Sequence, residues 1–472
     1  MLNLSGMRVF PIFFILFLGF VAVLPICSQQ SVFKEKLRIT LPDPSDRIYL
    51  TSFNSDGSKL LVVNERSAQV WSTETGNLLV RFEGFSPIDR LPEFKWQPGG
   101  SKVLQYDSNP YKTSDAFIWD AETGKRIATL TERRGIITAE WNSRGDRILT
   151  VGNWRTGSAY GFSRFTYSVR NENGSALRTT TERTDQVHSI QFSVTGDNII
   201  ISNKGKEGLK SIRMYDVESD DLIRGFDQEI SNVDVFSYAI FAGESPDGRV
   251  LCGQIKLSKG VACWRVEDSG RVTTFNFLDT KQTGDTYFVG FARDSSKIAL
   301  LRSRPRKIEI ADSTTGEVMF SIDIKHKVQR LSMQLGADKP SYGSLWSPSG
   351  RYFVVTDIEK EVSLWDVEKK QLILNRPAMW DSDYDWFVGT LPTDFEKFSF
   401  NERNEFLLSV TARTAKVWNP SDGRLLHEVV ETNKKSSRGT FQRYVAQWSP
   451  GGKYLLTGAE QNKTLVLWAV ND

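Results

Sequence analysis

Residues 379–386 read Met-Trp-Asp-Ser-Asp-Tyr-Asp-Trp and put carboxylates at alternate positions, Asp381, Asp383 and Asp385. Alternating carboxylates are what the first half of a calcium loop supplies as oxygen ligands. Such a loop needs Gly at its sixth position for a sharp turn and Glu at its twelfth for bidentate ligation. Here those positions hold Trp386 and Pro392, so the calcium pattern ends with its third carboxylate. What remains is Trp380, Tyr384 and Trp386 interleaved with acids, a mixture of ring surface and charge that suits a binding hot spot. The alternative is a loop whose aromatics pack on their own backbone.

Three other stretches carry aromatic or basic residues. Residues 107–115 carry Tyr111, residues 152–164 carry Trp154, Arg155 and Tyr160, and residues 302–307 carry Arg302, Arg304 and Arg306. Together with 380–386 they are the candidate partner-binding residues. Catalytic machinery is not legible. There is no Gly-x-Ser-x-Gly elbow, Walker loop, His-Glu-x-x-His pair or Cys-x-x-Cys pair. Three histidines in 472 residues are a poor supply of general bases and metal ligands. No catalytic, metal-binding or cofactor-binding residue is assigned, and no cofactor is expected. With 60 basic and 57 acidic residues the formal charge is only +3, without the basic excess of a nucleic-acid binder.

The beginning of the chain reads as an export signal. Arg8 precedes an apolar run from Val9 to Leu24, just past the usual length of a signal core and short for a membrane span. Residues 1–28 are expected to be a signal peptide, with an uncleaved membrane tether through 9–24 as the alternative. The protein is then periplasmic or extracellular. Cys252 and Cys263 fall in one hairpin, 249–266, where a tight turn sets them opposite each other. Opposed residues of antiparallel strands have close Cβ atoms, and disulfides persist outside the cytosol. A disulfide and a pair of buried thiols are both open.

These stretches are set in an internal repeat. Each unit has an aromatic residue, a turn four residues later, an apolar run, a short strand closing on another large residue, a second turn and a third apolar run. Aromatic-to-turn pairs include Phe53/Gly57, Trp96/Gly100, Trp141/Gly145, Phe192/Gly196, Phe291/Ser295 and Trp448/Gly452. A stretched version ends at Gly248. Nine units are counted, at about 48–84, 91–132, 136–182, 187–229, 236–279, 286–325, 341–377, 394–431 and 443–472. Each reads as four short strands, with no helical periodicity.

The pattern resembles the WD40-repeat family of β-propellers, in the manner of divergent bacterial exported members. Phe117–Gly124 and Ser363–Glu368 carry the Trp-Asp pair of that family, at Trp119-Asp120 and Trp365-Asp366. The resemblance covers the chain from about residue 33 and implies one all-β propeller of four-stranded blades over 33–472. It departs by lacking the Gly-His pair before the first strand. The family's buried Asp-His-Ser/Thr-Trp network cannot form with only His188, His326 and His427. The ninth unit stops at Asp472 without a fourth strand, and Lys36–Leu41 resembles the fourth strand of unit two at Lys125–Leu130. An unpaired strand edge invites aggregation. Residues 35–41 are therefore expected to complete the last blade and close the ring. Eight blades with one displaced unit is the alternative, since four to eight is usual.

Such a scaffold carries function in its loops. The longer connections belong to one face, which makes a non-catalytic scaffold recognising a protein, peptide or glycan the leading expectation. A propeller hydrolase, with carboxylates converging at the channel mouth, is the alternative. Nucleic acid is not expected as a partner, nor is membrane beyond the signal segment.

Overall fold

The computed structural model describes residues 32–41, 48–64, 66–84, 93–107, 114–132, 135–152, 165–182, 187–203, 212–226, 239–255, 260–267, 271–277, 285–323, 346–356, 361–377, 397–403, 405–411, 414–430, 444–459 and 464–471. They form nine antiparallel sheets, so the eight-bladed alternative falls. Eight sheets have four strands. The seventh has three, with Trp346 bridging to Phe353 where its innermost strand belongs. We call the sheets blades 1 to 9 in chain order of their second strands, and name the strands of each blade inner, second, third and outer from the central channel outward.

Blade 1 shows why the sequence folds this way. Its strands are Ile48–Phe53, Lys59–Asn64, Ala68–Ser72 and Leu78–Arg81. Leu60 and Val62 of the second strand pack in a cluster with blade 9, while Leu61 and Val63 pack in a cluster with blade 2. Alternate side chains of a strand point to opposite faces, so a strand covered on both sides reads as a continuous apolar run. The division recurs around the molecule. Nine apolar clusters are each shared by two adjacent blades, one of them by blades 9 and 1. The ring is closed.

Turn chemistry sets the blade's outer half. The aspartate of the Trp119-Asp120 pair accepts the amide hydrogens of Glu122 and Thr123 through Oδ1 at 2.7 and 3.1 Å. Asp216 and Asp312 do the same in their blades. A short carboxylate that bonds its own backbone two residues on is the usual turn former. The inner turns use positive φ. At Gly145, φ is +75°, and an added Cβ would collide with the Pro98 carbonyl of the preceding blade. Ser295 takes the same left-handed conformation, φ 61°, where the repeat offers no glycine.

The closing strand is Phe33–Thr40, paired antiparallel with Thr464–Val470 as the outer strand of blade 9. Pairing starts at Phe33 rather than at residue 35. Phe33 is buried against Leu408 and Val417 of blade 8, whereas Ile39 and Leu41 are buried against blade 1. Lys36 Nζ donates to Glu74 Oε2 of blade 1 at 2.6 Å and to the Tyr454 hydroxyl of blade 9 at 2.8 Å.

Cys252 and Cys263 sit opposite each other in blade 5, fully buried, with Cα atoms 4.1 Å apart and a disulfide between them. Between blades, basic residues at the start of second strands pair with acids in the next blade's outer turn. Lys59 meets Glu122, Lys102 Nζ lies 3.2 Å from Glu172, and Arg147 lies 2.8 Å from Glu218. Exposed pairs of this kind contribute little each.

Candidate binding face

Antiparallel order sends the inner-to-second and third-to-outer turns to one end of the ring. The second-to-third and outer-to-inner connections leave from the other end. At the first end the turns are short: the inner turns 54–58, 97–101, 142–146, 193–197, 245–249, 292–296 and 449–453 have one length, and 401–406 is one residue longer. At the second end the connections range from 304–305 to 153–164, 378–396 and 324–345. The added chain length is therefore spent at one mouth of the channel.

A polar layer lies beneath that mouth, one residue per second strand in most blades. Gln105, Thr150, Ser202, Gln254, Ser409 and Thr457 are buried there. In three blades this residue accepts the indole hydrogen of the third-strand tryptophan. Trp119 Nε1 reaches Gln105 Oε1 at 2.8 Å, Trp418 reaches Ser409 Oγ at 2.9 Å, and Trp468 reaches Thr457 Oγ1 at 2.9 Å. Such pairing removes the cost of an unsatisfied buried donor and does, with two residues, part of what a histidine network would do. In blade 3 the layer is ionic. Arg170 donates to Thr150 at 3.1 Å and to Glu132 at 3.0 Å, with both ionic side chains nearly buried.

Arg302 is the blade 6 member of this layer. Its Nε donates to Glu309 Oε2 at 2.7 Å, and a terminal guanidinium nitrogen donates to Thr286 Oγ1 at 2.6 Å. Lys307 Nζ lies 2.7 Å from the other oxygen of Glu309. Burial alone would push the Glu309 carboxyl up, but hydrogen bonds from Lys307 and Arg302 outweigh it and hold the group below the ordinary value. Arg302 thus secures the interior of blade 6. Arg304 and Arg306 stand exposed at the tip of the same hairpin, at the mouth with the long connections. Tyr111, Trp154, Arg155, Tyr160, Trp380, Asp381, Asp383, Tyr384, Asp385 and Trp386 lie outside the described residues. The strand ends that flank them all belong to this same mouth.

One residue breaks the inner-strand pattern. Phe53, Trp141, Phe192 and Phe291 end their inner strands, each opposite the second residue of the following strand. In blade 5 that register position is Glu244, opposite Leu251, after a bulge between Phe241 and Gly243. On the other face of the strand, a Cβ on Gly243 would meet Phe288 of blade 6 at 2.7 Å. Glu244 Oε2 accepts the Val194 amide hydrogen of blade 4 at 2.8 Å. Burial pushes its carboxyl up to about 7 despite that bond, with Asp247 adding in the same direction. Glu244 stands four residues before Gly248, the spacing of Phe53/Gly57, so the signal in the sequence was an acid at the aromatic position.

The sequence matches no family model and no curated protein. Among solved structures, that of a eukaryotic initiation factor aligns at TM-score 0.51 and 13% identity, covering 83% of this chain and 90% of that chain. The computationally designed Ika8 protein aligns at TM-score 0.44 and 13% identity, over 93% of this chain and 100% of that one. The C-terminal WD40 domain of Sif2 aligns at TM-score 0.44 and 11% identity, over 94% and 99%. At the initiation factor's level of identity the likeness is one of fold, and the chain is a β-propeller, here of nine blades closed by its N-terminal strand.

Proposed function

We propose that this propeller is an exported, non-catalytic binding scaffold that takes a protein, peptide or glycan partner on the mouth carrying its long connections. The carrying observation is the asymmetry between the two ends, short turns on one and connections as long as 324–345 and 378–396 on the other. A rigid ring with variable loops on one face separates the work of folding from the work of recognition. The residues that make contact in this reading are Trp380, Tyr384 and Trp386 with Asp381, Asp383 and Asp385, the exposed Arg304 and Arg306, and the aromatic and basic residues at 111 and 154–160. The apolar run 9–24 and the Cys252–Cys263 disulfide support an oxidising, exported location.

The double variant Trp380→Ala, Trp386→Ala tests the reading. Partner recovered from the exporting cell should bind it at least about tenfold more weakly, as loss of hot-spot aromatics does. The melting temperature should stay within about 2 °C of the parent's, a surface-substitution effect. A large loss of stability would make these rings part of the core. Undiminished binding in a well-folded variant would place recognition elsewhere.

A further inference from the structure

Three inner strands meet where the ring closes: Ile48–Phe53 of blade 1, Lys397–Phe400 of blade 8 and Tyr444–Trp448 of blade 9. At their turn-side ends, on the opposite mouth from the long connections, lies a concavity of about 380 Å³. Its origin is local. In blades 2 and 3 the inner strand ends in tryptophan, and the indole donates to a carbonyl of the preceding blade. Trp96 Nε1 reaches the Ser52 carbonyl at 3.1 Å, and Trp141 Nε1 reaches the Lys95 carbonyl at 3.2 Å. Each accepting residue stands just before its own blade's terminal aromatic. By that rule Trp448 of blade 9 should reach the carbonyl of Ser399, just before Phe400. It does not: the buried Trp448 Nε1 has no hydrogen-bond partner among the described residues. The indole packs beside Phe33 of the closing strand instead, with ring centroids 6.2 Å apart. Trp346 of blade 7 likewise leaves its indole hydrogen without a partner among the described residues; at the seam of blades 8, 9 and 1 the cleft lies beside Trp448.

The lining has a definite chemistry. Trp448, Phe53 and Phe400 supply ring surface, while Ser52, Ser399 and Gln447 supply hydroxyls and an amide. Gln447 Nε2 donates to Thr51 Oγ1 at 3.1 Å, which fixes the amide's orientation. At the rim, Glu402 accepts from Arg293 at 2.9 Å and from the Gly451 amide at 3.0 Å. Those two bonds, Arg293's foremost, keep its carboxyl below the ordinary value, so it is an acceptor at neutral pH. Its charge is already answered by Arg293. A cation would find the carboxylate engaged, and an anion would meet it as a like charge. Ring surface beside several hydroxyl-type partners favours a neutral ligand with one apolar face and many hydroxyls. The volume falls at the lower end of the range for small-ligand sites, roughly 300–1,000 Å³.

We propose that this closure-seam cleft binds a neutral, hydroxyl-rich ring of monosaccharide size, held by Ser52, Ser399, Gln447 and Glu402 against Trp448. The site is separate from the partner face and does not depend on it. A ligand there touches blades 8, 9 and 1 together, so occupancy stabilises the closed ring by mass action.

Saturation-transfer NMR and thermal melts on the whole protein test this, with methyl glucoside, methyl galactoside, methyl mannoside and N-acetylglucosamine as probes. The same sugars as terminal residues of trisaccharides form a second arm. At least one probe should receive saturation and raise the melting temperature. Ser399→Ala and Gln447→Ala should each weaken that binding about tenfold, the effect of removing one hydrogen-bonding partner. Trp380→Ala should leave it unchanged. Saturation confined to the end residue of a trisaccharide would assign the site to a glycan chain end rather than a free sugar. Absence of transfer to every probe at millimolar concentration overturns the proposal. So does binding that survives both cleft substitutions in folded protein, or binding that Trp380→Ala removes.

Discussion

A chain lacking residues 33–41 should lose the sharp thermal transition of the intact ring, with the melting temperature falling by more than about 10 °C or no folded monomer recovered. Three of the deleted side chains, Phe33, Ile39 and Leu41, are at most 3% exposed. Each is worth about 1.5–3 kcal/mol of burial, against a total margin of about 5–15 kcal/mol for a folded domain. At roughly 1 °C per kcal/mol for a ring of this size, that loss gives about 5–10 °C, and the strand pairing lost with it carries the shift further. The deletion also strips the outer edge of Thr464–Val470, which pairs with residues 33–40 along its length. An exposed strand edge recruits other chains, so aggregation is expected beside destabilisation. The point variant Ile39→Asp should act in the same direction, because Ile39 lies wholly inside the cluster that joins blades 9 and 1. A melting temperature unchanged in both variants would mean that the ring closes without this strand.

The variant Glu244→Gln should be more stable than the parent at pH 8 and no different near pH 4. The Glu244 carboxyl is raised from 4.5 to about 7 in the folded protein. Below the ordinary carboxylate value, folded and unfolded chains both carry the protonated acid, and the group favours neither. Between pH 4.5 and 7 the unfolded chain gives up the proton while the folded chain keeps it, so stability falls as pH rises. Above pH 7 the penalty is complete, on the order of 3 kcal/mol at 1.36 kcal/mol per pH unit. Gln keeps an oxygen for the Val194 amide and has no charge to bury. Denaturant melts of both proteins at pH 4, 6 and 8 measure the difference directly. Curves that stay parallel across this range would show that Glu244 is solvated when folded.

The fold was legible because the repeat writes its geometry in residue types. Doubly covered second strands must be apolar on both faces, and the turns need Asp, Asn and Gly at fixed offsets. The closing strand was visible as an orphan copy of an outer strand at Lys36–Leu41. Its reach back to Phe33 was not, because that depends on a contact with blade 8 nearly the whole chain away. Glu244 was hidden because an acid stands where the repeat has an aromatic, and its burial depends on a contact with the Val194 amide of blade 4. Arg302 shows the limit for sites. In sequence it is indistinguishable from Arg304 and Arg306 in one basic run. Arg302 lies inside the ladder, paired with Lys307 and bonded to Glu309, whereas Arg304 is in the turn and Arg306 at the last rung, both exposed. The cleft at the closure seam has no sequence signal, since its lining comes from blades 1, 8 and 9, whose residues lie far apart in the chain.

The central claim, that partners are taken on the mouth with the long connections, can be tested by placing a photo-crosslinking residue at single positions of the protein in its own cell. Positions 384 and 306 belong to the proposed binding mouth. Position 123, exposed in an outer turn of blade 2, belongs to the opposite end. Irradiation should give discrete higher-mass adducts from 384 and 306 and none from 123. Adducts from 123, with none from 384 or 306, would contradict the account.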